Sequence, residues 1–176
     1  MINFDNYIID KICEADASGL TEFMISNSKR FQRFFPKTLA QNLTLEDSKK
    51  FAFLKSQEHD SKVEFTFVLK DQNPIKIIGL VILKELDWDK KQGEFAYCID
   101  AGFEGKGVMS KAVKELSLYA LDKLELRTLQ IVVHESNKGS VKVALNCNYK
   151  WHKTLLNEYA PPNESSLDME LYELIK

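Results

Sequence analysis

Gly102-Phe103-Glu104-Gly105-Lys106-Gly107-Val108-Met109 puts three of the chain's seven glycines within six residues. Just upstream, Glu94-Phe95-Ala96-Tyr97-Cys98-Ile99 mixes β-branched and aromatic residues as a strand does. Downstream, Val108, Met109, Ala112, Val113, Leu116, Ala120 and Leu124 recur at three- and four-residue intervals, which predicts a helix with a continuous apolar stripe. Glycines let the backbone turn sharply and approach a ligand with no β-carbon in the way. A helix start adds unpaired N–H groups and the positive end of a dipole. A strand, a glycine turn and a helix in this order suit a pyrophosphate. A ligand-free turn is the plain alternative.

Two familiar phosphate loops fail on spacing. The dinucleotide fingerprint needs a third glycine after Gly105 and Gly107, where Ser110 stands instead. A Walker loop needs four residues between its first glycine and a Gly-Lys pair, but Gly102 is too close and Gly107 follows Lys106.

Outward from the turn, the pattern remains mixed. Tyr7 to Cys13 reads as a first strand, and Leu20, Phe23, Met24 and Asn27 fall at helical spacing behind a cap from Asp16 or Ser18. Pro36 punctuates the gap to a second helix, which Thr44-Leu45-Glu46-Asp47 opens with a capping hydroxyl and a carboxylate three residues later. Val63 to Lys70, the turn Asp71-Gln72-Asn73-Pro74 and Ile75 to Leu86 make an antiparallel hairpin. Leu129, Ile131 and Val133 mark a strand, Asn137 caps a short helix bearing Val141, Ala144 and Leu145, and Tyr149 to Tyr159 with Leu167 to Ile175 form a final strand pair. One α/β layer fold, with a single sheet and one domain over residues 1–176, is expected.

Composition narrows the function classes. Hydrophobic residues at 44% and charged residues at 28% describe an ordinary globular chain. A formal net charge of -2, with both signs interspersed, gives no field to attract nucleic acid. Cys13, Cys98 and Cys147 are too far apart for a disulfide framework or a zinc spacing, which favours a cytoplasmic location. His59, His134 and His152 are too scattered for a metal site. No secretory leader and no apolar run of membrane-spanning length is visible.

Gly93 to Ile99, Phe103 to Met109 and His134-Glu135-Ser136-Asn137-Lys138-Gly139-Ser140 together resemble the GNAT superfamily of acetyltransferases. The late Glu158-Tyr159, Asp168 and Leu171-Tyr172 are similar to the RimJ/RimL-like ribosomal-protein N-acetyltransferases within it. The resemblance is weakest over the first sixty residues. It implies the acyl-coenzyme A N-acyltransferase fold, a single mixed, largely antiparallel sheet flanked by helices. It also implies acetyl-coenzyme A as cosubstrate without a metal. The acceptor is an amine, either a protein N-terminus or a small amine, and a homodimer is an open option.

The resemblance also assigns roles. Cys98 and Ile99 run beside the pantetheine arm, and N–H groups from Gly105, Lys106, Gly107, Val108 and Met109, continuing to Ser110, meet the pyrophosphate. Asn137 contacts the cosubstrate near its thioester while also capping its helix. Glu158 is the general base, with Glu94 in reserve, and Ser140 protonates the thiolate or orients the thioester. Glu158 can equally be a solvated strand carboxylate, and Ser140 a first-turn polar residue. Four departures stand out: Glu104 replaces the usual Arg or Gln, Met109 a Gly or Ala, Ala144 a thiolate-protonating Tyr, and Asn148-Tyr149 a Gly-Phe pair. Glu104 and the missing tyrosine at Ala144 raise the rival reading of an acyl-coenzyme A binding protein without turnover. Cys98 and Cys147 lack a histidine in any nucleophile signature and read as buried apolar residues.

Overall fold

The computed structural model describes residues 1–176 and divides them into two compact units. One comprises residues 1–82 and 97–103, the other residues 83–96 and 104–176.

In the first unit, β1 (Ile2–Phe4) and β2 (Tyr7–Lys11) make an antiparallel hairpin. It turns on Asp5 at φ 46, a left-handed position that Asp tolerates better than most residues. Four helices follow, α1 (Ala17–Ser26), α2 (Ser28–Phe34), α3 (Pro36–Ala40) and α4 (Leu45–Asp60), and then β3 (Phe65–Gln72), antiparallel to β2. Leu20, Phe23 and Met24 of α1, Phe31 of α2, Leu39 of α3 and Phe51 of α4 converge with Val68 of β3 in one apolar core. Thr44 caps α4, its hydroxyl accepting from the Asp47 N–H at 3.1 Å. Such a cap contributes about 1 kcal/mol. Each buried Phe or Leu contributes about 1.5–3 kcal/mol, so packing rather than capping decides where α4 lies.

At the end of α4, His59 stands edge-on to Phe65 and Phe67, with ring centroids at 4.7 and 5.3 Å, and its enclosed Nδ1 has no hydrogen-bond partner. Burial first, and the Lys11 charge second, hold its pKa below the ordinary 6.5. A histidine depressed in the folded state contributes stability above its unfolded pKa and loses it as pH falls through the folded value. The melting temperature should therefore drop as pH falls below about 6.5, and His59→Leu should flatten that slope in thermal melts across pH. An unchanged slope in the variant would assign the acid sensitivity to other groups.

The second unit is built on α5 (Val108–Asp122), β6 (Thr128–Val133), α6 (Lys138–Asn146), β7 (Lys150–Tyr159) and β8 (Leu167–Ile175). Val108, Met109, Ala112, Val113, Leu116 and Ala120 are all buried, as their spacing requires. Leu129, Ile131 and Val133 of β6 are buried in alternation with half-exposed neighbours. The Tyr149 hydroxyl meets Ser117 Oγ at 2.8 Å in the interior, pinning the α6–β7 junction to α5. Asn148, just before it, has φ 64, so the backbone takes there the conformation that a glycine would otherwise supply.

All eight strands join in one sheet of order β1-β2-β3-β4-β5-β6-β8-β7, where β4 is Ile75–Asp87 and β5 is Gln92–Ile99. β5 and β6 pair in parallel through Gln92–Thr128, Gly93–Leu129 and Glu94–Gln130, while β6–β8 and β8–β7 are antiparallel. At Gly93 a β-carbon would lie 2.9 Å from Leu83 Cδ1 and 3.0 Å from Leu86 Cδ2, so a larger residue would make those leucine side chains shift.

Several expectations need correction. β1, α2 and α3 were not expected, and Pro36 opens α3 at its first turn instead of separating helices. Asp16 precedes α1 but does not cap it with its side chain. Its carboxylate accepts from the Cys13 N–H at 3.0 Å and meets Lys70 Nζ at 2.7 Å. Val63 lies exposed outside β3, and α5 ends at Asp122, before Leu124. No helix is long and apolar enough to cross a membrane.

Candidate active site

The helix α5 begins from two glycines in the left-handed region, Gly105 at φ 70 and Gly107 at φ 76. Built β-carbons at either would meet nothing within 4 Å, so both open onto free space. Gly107 is the residue before α5 and has no side chain to cap it, while its carbonyl accepts the Lys111 N–H at 3.1 Å. The N–H groups of Val108, Met109 and Ser110 belong to the first turn, where no intrahelical acceptor exists. The side chains of Val108 and Met109 are buried, and Lys106, between the two glycines, is exposed. Amide donors at a helix start suit a pyrophosphate, and nothing in that chemistry requires a third glycine.

Ser110 is tied to the second helix, its Oγ accepting from Asn146 Nδ2 at 3.3 Å and its carbonyl from Cys147 Sγ at 3.1 Å. Asn137 caps α6 as expected, its Oδ1 accepting the Ser140 N–H at 3.2 Å, which leaves Nδ2 out of the cap. Ser140 is half-buried in the first turn of α6. Within the second unit, Gly105 to Ser110 occupy the start of α5 and Asn137 with Ser140 the start of α6, while Ser110 ties the start of α5 to the far end of α6 at Asn146 and Cys147.

Glu158 is exposed near the end of β7, in a stretch where Leu155 pairs with Met169 and Tyr159 with Leu167. Four steps along β7 thus oppose two along β8, and the surplus makes a bulge beside Glu158. Asn157 takes φ 52 there and donates its N–H to Asp168 Oδ1 at 2.8 Å. Bulges re-aim side chains, and Asp168 holds this one in place. Glu94 differs in every respect: it is half-buried, ion-paired with Lys84 at 2.7 Å and opposite Gln130 in the last pair of the parallel ladder.

In the first unit, Cys98 points into the apolar core and burial pushes its thiol up to about 12, so only its backbone can meet a ligand. Burial pushes Cys147 up to about 11, consistent with a structural thiol. Ile99, half-exposed at the end of β5, gives its carbonyl to Arg30 Nη1 at 3.1 Å. Burial alone would raise Asp100, the next residue. The Asn27 amide, the Gly102 N–H and Lys76 outweigh it and hold the carboxylate below its ordinary range. Sequence reasoning missed Arg30 and Asp100 and placed Asn27 only as a helix-face residue. No group of three or more His, Cys, Asp or Glu gathers as metal ligands.

The acetyltransferase (GNAT) domain family matches residues 7–150. YdaF of Bacillus subtilis (strain 168), provisionally named a ribosomal N-acetyltransferase, is 28% identical over 128 residues, spanning 71% of this chain and 67% of that protein. The crystal structure of ribosomal-protein-S5-alanine acetyltransferase from Vibrio fischeri superposes with a TM-score of 0.92 at 23% identity, covering 99% of this chain and 95% of that one. Microcin C7 self-immunity acetyltransferase MccE, solved with acetyl-CoA and AMP, gives 0.87 at 20% identity, covering 98% and 94%. The expected fold, a mixed and largely antiparallel sheet flanked by helices, is borne out.

Proposed function

The chain belongs to the acetyltransferase (GNAT) family, and on that premise we propose that it transfers the acetyl group of acetyl-coenzyme A to the α-amine of a protein N-terminus. The observation that carries the cosubstrate is the start of α5, without a side-chain cap, directly behind two left-handed glycines that open onto free space. Support for an N-terminal acceptor, and for the RimJ/RimL-like branch, comes from the likeness to YdaF and to the Vibrio fischeri enzyme.

Bound there, acetyl-coenzyme A supplies an activated thioester. In this reading the N–H groups from Gly105 to Ser110 hold its pyrophosphate, and the positive end of the α5 dipole adds to their attraction. The backbone at Cys98 and Ile99 lines the pantetheine, and an N–H near Ile99 polarises the carbonyl. Asn137 orients the thioester end through Nδ2 while Oδ1 stays in the cap. Glu158 takes the proton of the amine and Ser140 returns one to the leaving sulfur. No covalent enzyme intermediate is needed, and holding both substrates together supplies much of the acceleration. Glu104 is exposed beside the glycines, where solvent screens its repulsion of the phosphates. The reading includes a cytoplasmic location and one domain over the whole chain.

The test pairs calorimetry with thiol release. Purified protein is titrated with acetyl-coenzyme A and with coenzyme A, and coenzyme A release is then followed with N-terminal peptides, polyamines and free lysine as acceptors. Saturable binding with fastest turnover on peptides is expected. Faster polyamine turnover would move the acceptor to small amines. Binding without turnover on any amine would mark a binding protein, and absence of binding would remove the cosubstrate.

A further inference from the structure

Asn27, at the junction of α1 and α2, is 3% exposed and has every hydrogen-bonding position filled. Nδ2 donates to the Phe23 carbonyl at 3.0 Å and to Asp100 Oδ2 at 3.1 Å. Oδ1 accepts from Arg30 Nη1 at 2.9 Å and from the Ala101 N–H at 3.1 Å. The amide can point only this way, because the Phe23 carbonyl cannot donate and the Ala101 N–H cannot accept. Each of these partners fixes another piece of the β5 exit. Arg30 Nη1 also holds the Ile99 carbonyl, and Asp100 Oδ1 holds the Gly102 N–H at 2.9 Å. Lys76 lies 3.6 Å from Asp100 Oδ2.

The Asp100 N–H donates to the Ile78 carbonyl of β4 at 2.7 Å, so the backbone groups of Asp100 face β4. Successive residues of a strand alternate, and those of Ile99 therefore face away from it. Resting on the acetyl-transfer reading above, we propose that Asn27 is a positioning residue for that reaction: one buried amide sets the Ile99 to Gly102 backbone, and with it the donor that polarises the thioester carbonyl. Asn27 touches no reacting atom. It acts through Arg30, Asp100 and Ala101. A donor misplaced by about 1 Å can cost on the order of 10²-fold in rate, which is the scale on which a loosened strand exit would register.

The experiment is a donor–acceptor exchange. N27D keeps an oxygen for Arg30 and Ala101 but sets a second carboxylate against Asp100, and D100N in the same chain restores a donor opposite an acceptor. N27D should lower kcat by about 10- to 100-fold with KM for acetyl-coenzyme A within about threefold. Two facing carboxylates can share one proton, so the ratio of N27D to wild-type kcat should climb from about pH 8 to about pH 5.5 despite Arg30 and Lys76 alongside. The double variant should recover at least about fivefold of the lost kcat, the Phe23 carbonyl alone remaining without the Asn27 amide donor. A folded N27D with wild-type kcat overturns the proposal, as does a loss confined to KM, or a double variant that regains its melting temperature and not its kcat. If N27D does not fold, Asn27→Ser carries the test, since its hydroxyl can reach fewer of the four partners; wild-type kcat in that variant again overturns it. A wild-type protein that acetylates no amine removes the parent reading and this one with it. An active wild type with an indifferent Asn27 removes this one alone.

Discussion

Gly107→Val is expected to weaken acetyl-coenzyme A binding by about 30-fold or more, corresponding to roughly 2 kcal/mol. The backbone there sits at φ 76, which costs an L residue about 1–2 kcal/mol and a β-branched one more. The protein offers no clash to the new side chain, since a β-carbon meets nothing within 4 Å. The space it would enter is the space assigned to the pyrophosphate, so strain and occlusion act together on the ligand. Asparagine separates them, because it tolerates the left-handed region yet still carries a β-carbon. If Gly107→Asn loses nearly as much affinity as Gly107→Val, occlusion dominates; if it binds like wild type, backbone strain was the larger cause. Turnover at saturating cosubstrate should change far less than the dissociation constant measured by calorimetry. Unaltered binding in both variants would show that the start of α5 does not hold the phosphates.

The glycine turn and its helix were legible in the sequence because their signals are local. The glycines, the helix stripe behind them and the Asn137 cap all operate within a few residues of themselves, and the structure forms each of them, the stripe stopping short of Leu124. The stripe on α5 was readable because its eight buried positions, Val108 to Leu121, repeat over about four turns. α2 and α3 each bury a single large side chain, Phe31 and Leu39, so there was no repeat to find. Their existence depends on a core that α1, α4 and the sheet complete. β1 is three residues long, and its only local signal is Asp5-Asn6 between apolar neighbours, which suits a two-residue hairpin turn.

Asn27 shows the other limit. Its place on the buried face of a helix could be read from spacing, but not the reason for its burial, because Asp100 lies 73 residues away. A polar residue at a helix-core position is a signal of partners, and sequence alone does not say which. Asp16 is similar: its spacing suggests a cap, while Lys70, far along the chain, draws the carboxylate elsewhere. Glu158 and Ser140 entered through resemblance alone. No periodicity distinguishes a base from a solvated carboxylate, and the bulge that sets Glu158 apart from its strand neighbours exists only once β7 and β8 have paired.

Glu158→Gln is the sharpest test of the chemistry, with kcat expected to fall by on the order of 10²-fold, the low end of what a positioned base supplies. KM for acetyl-coenzyme A should stay within about threefold, because Glu158 lies on β7 and the phosphate donors lie on α5. The size of the loss should depend on the acceptor. An α-amine with pKa near ~7.8 is partly free at neutral pH, whereas a lysine side chain near ~10.4 is almost wholly protonated and needs the base more. Raising the pH toward the amine's own pKa should therefore recover part of the variant's rate with a peptide N-terminus, and less with a lysine. Glu94→Gln is the matched comparison, since Glu94 is already engaged by Lys84 at 2.7 Å and would have to leave that pair to accept a proton. If Glu94→Gln loses the larger factor in kcat and Glu158→Gln keeps its rate, the roles are exchanged and Lys84 becomes the group that holds the base. If neither substitution slows the reaction, neither carboxylate is the base, and the proton leaves the amine to solvent or before the amine binds.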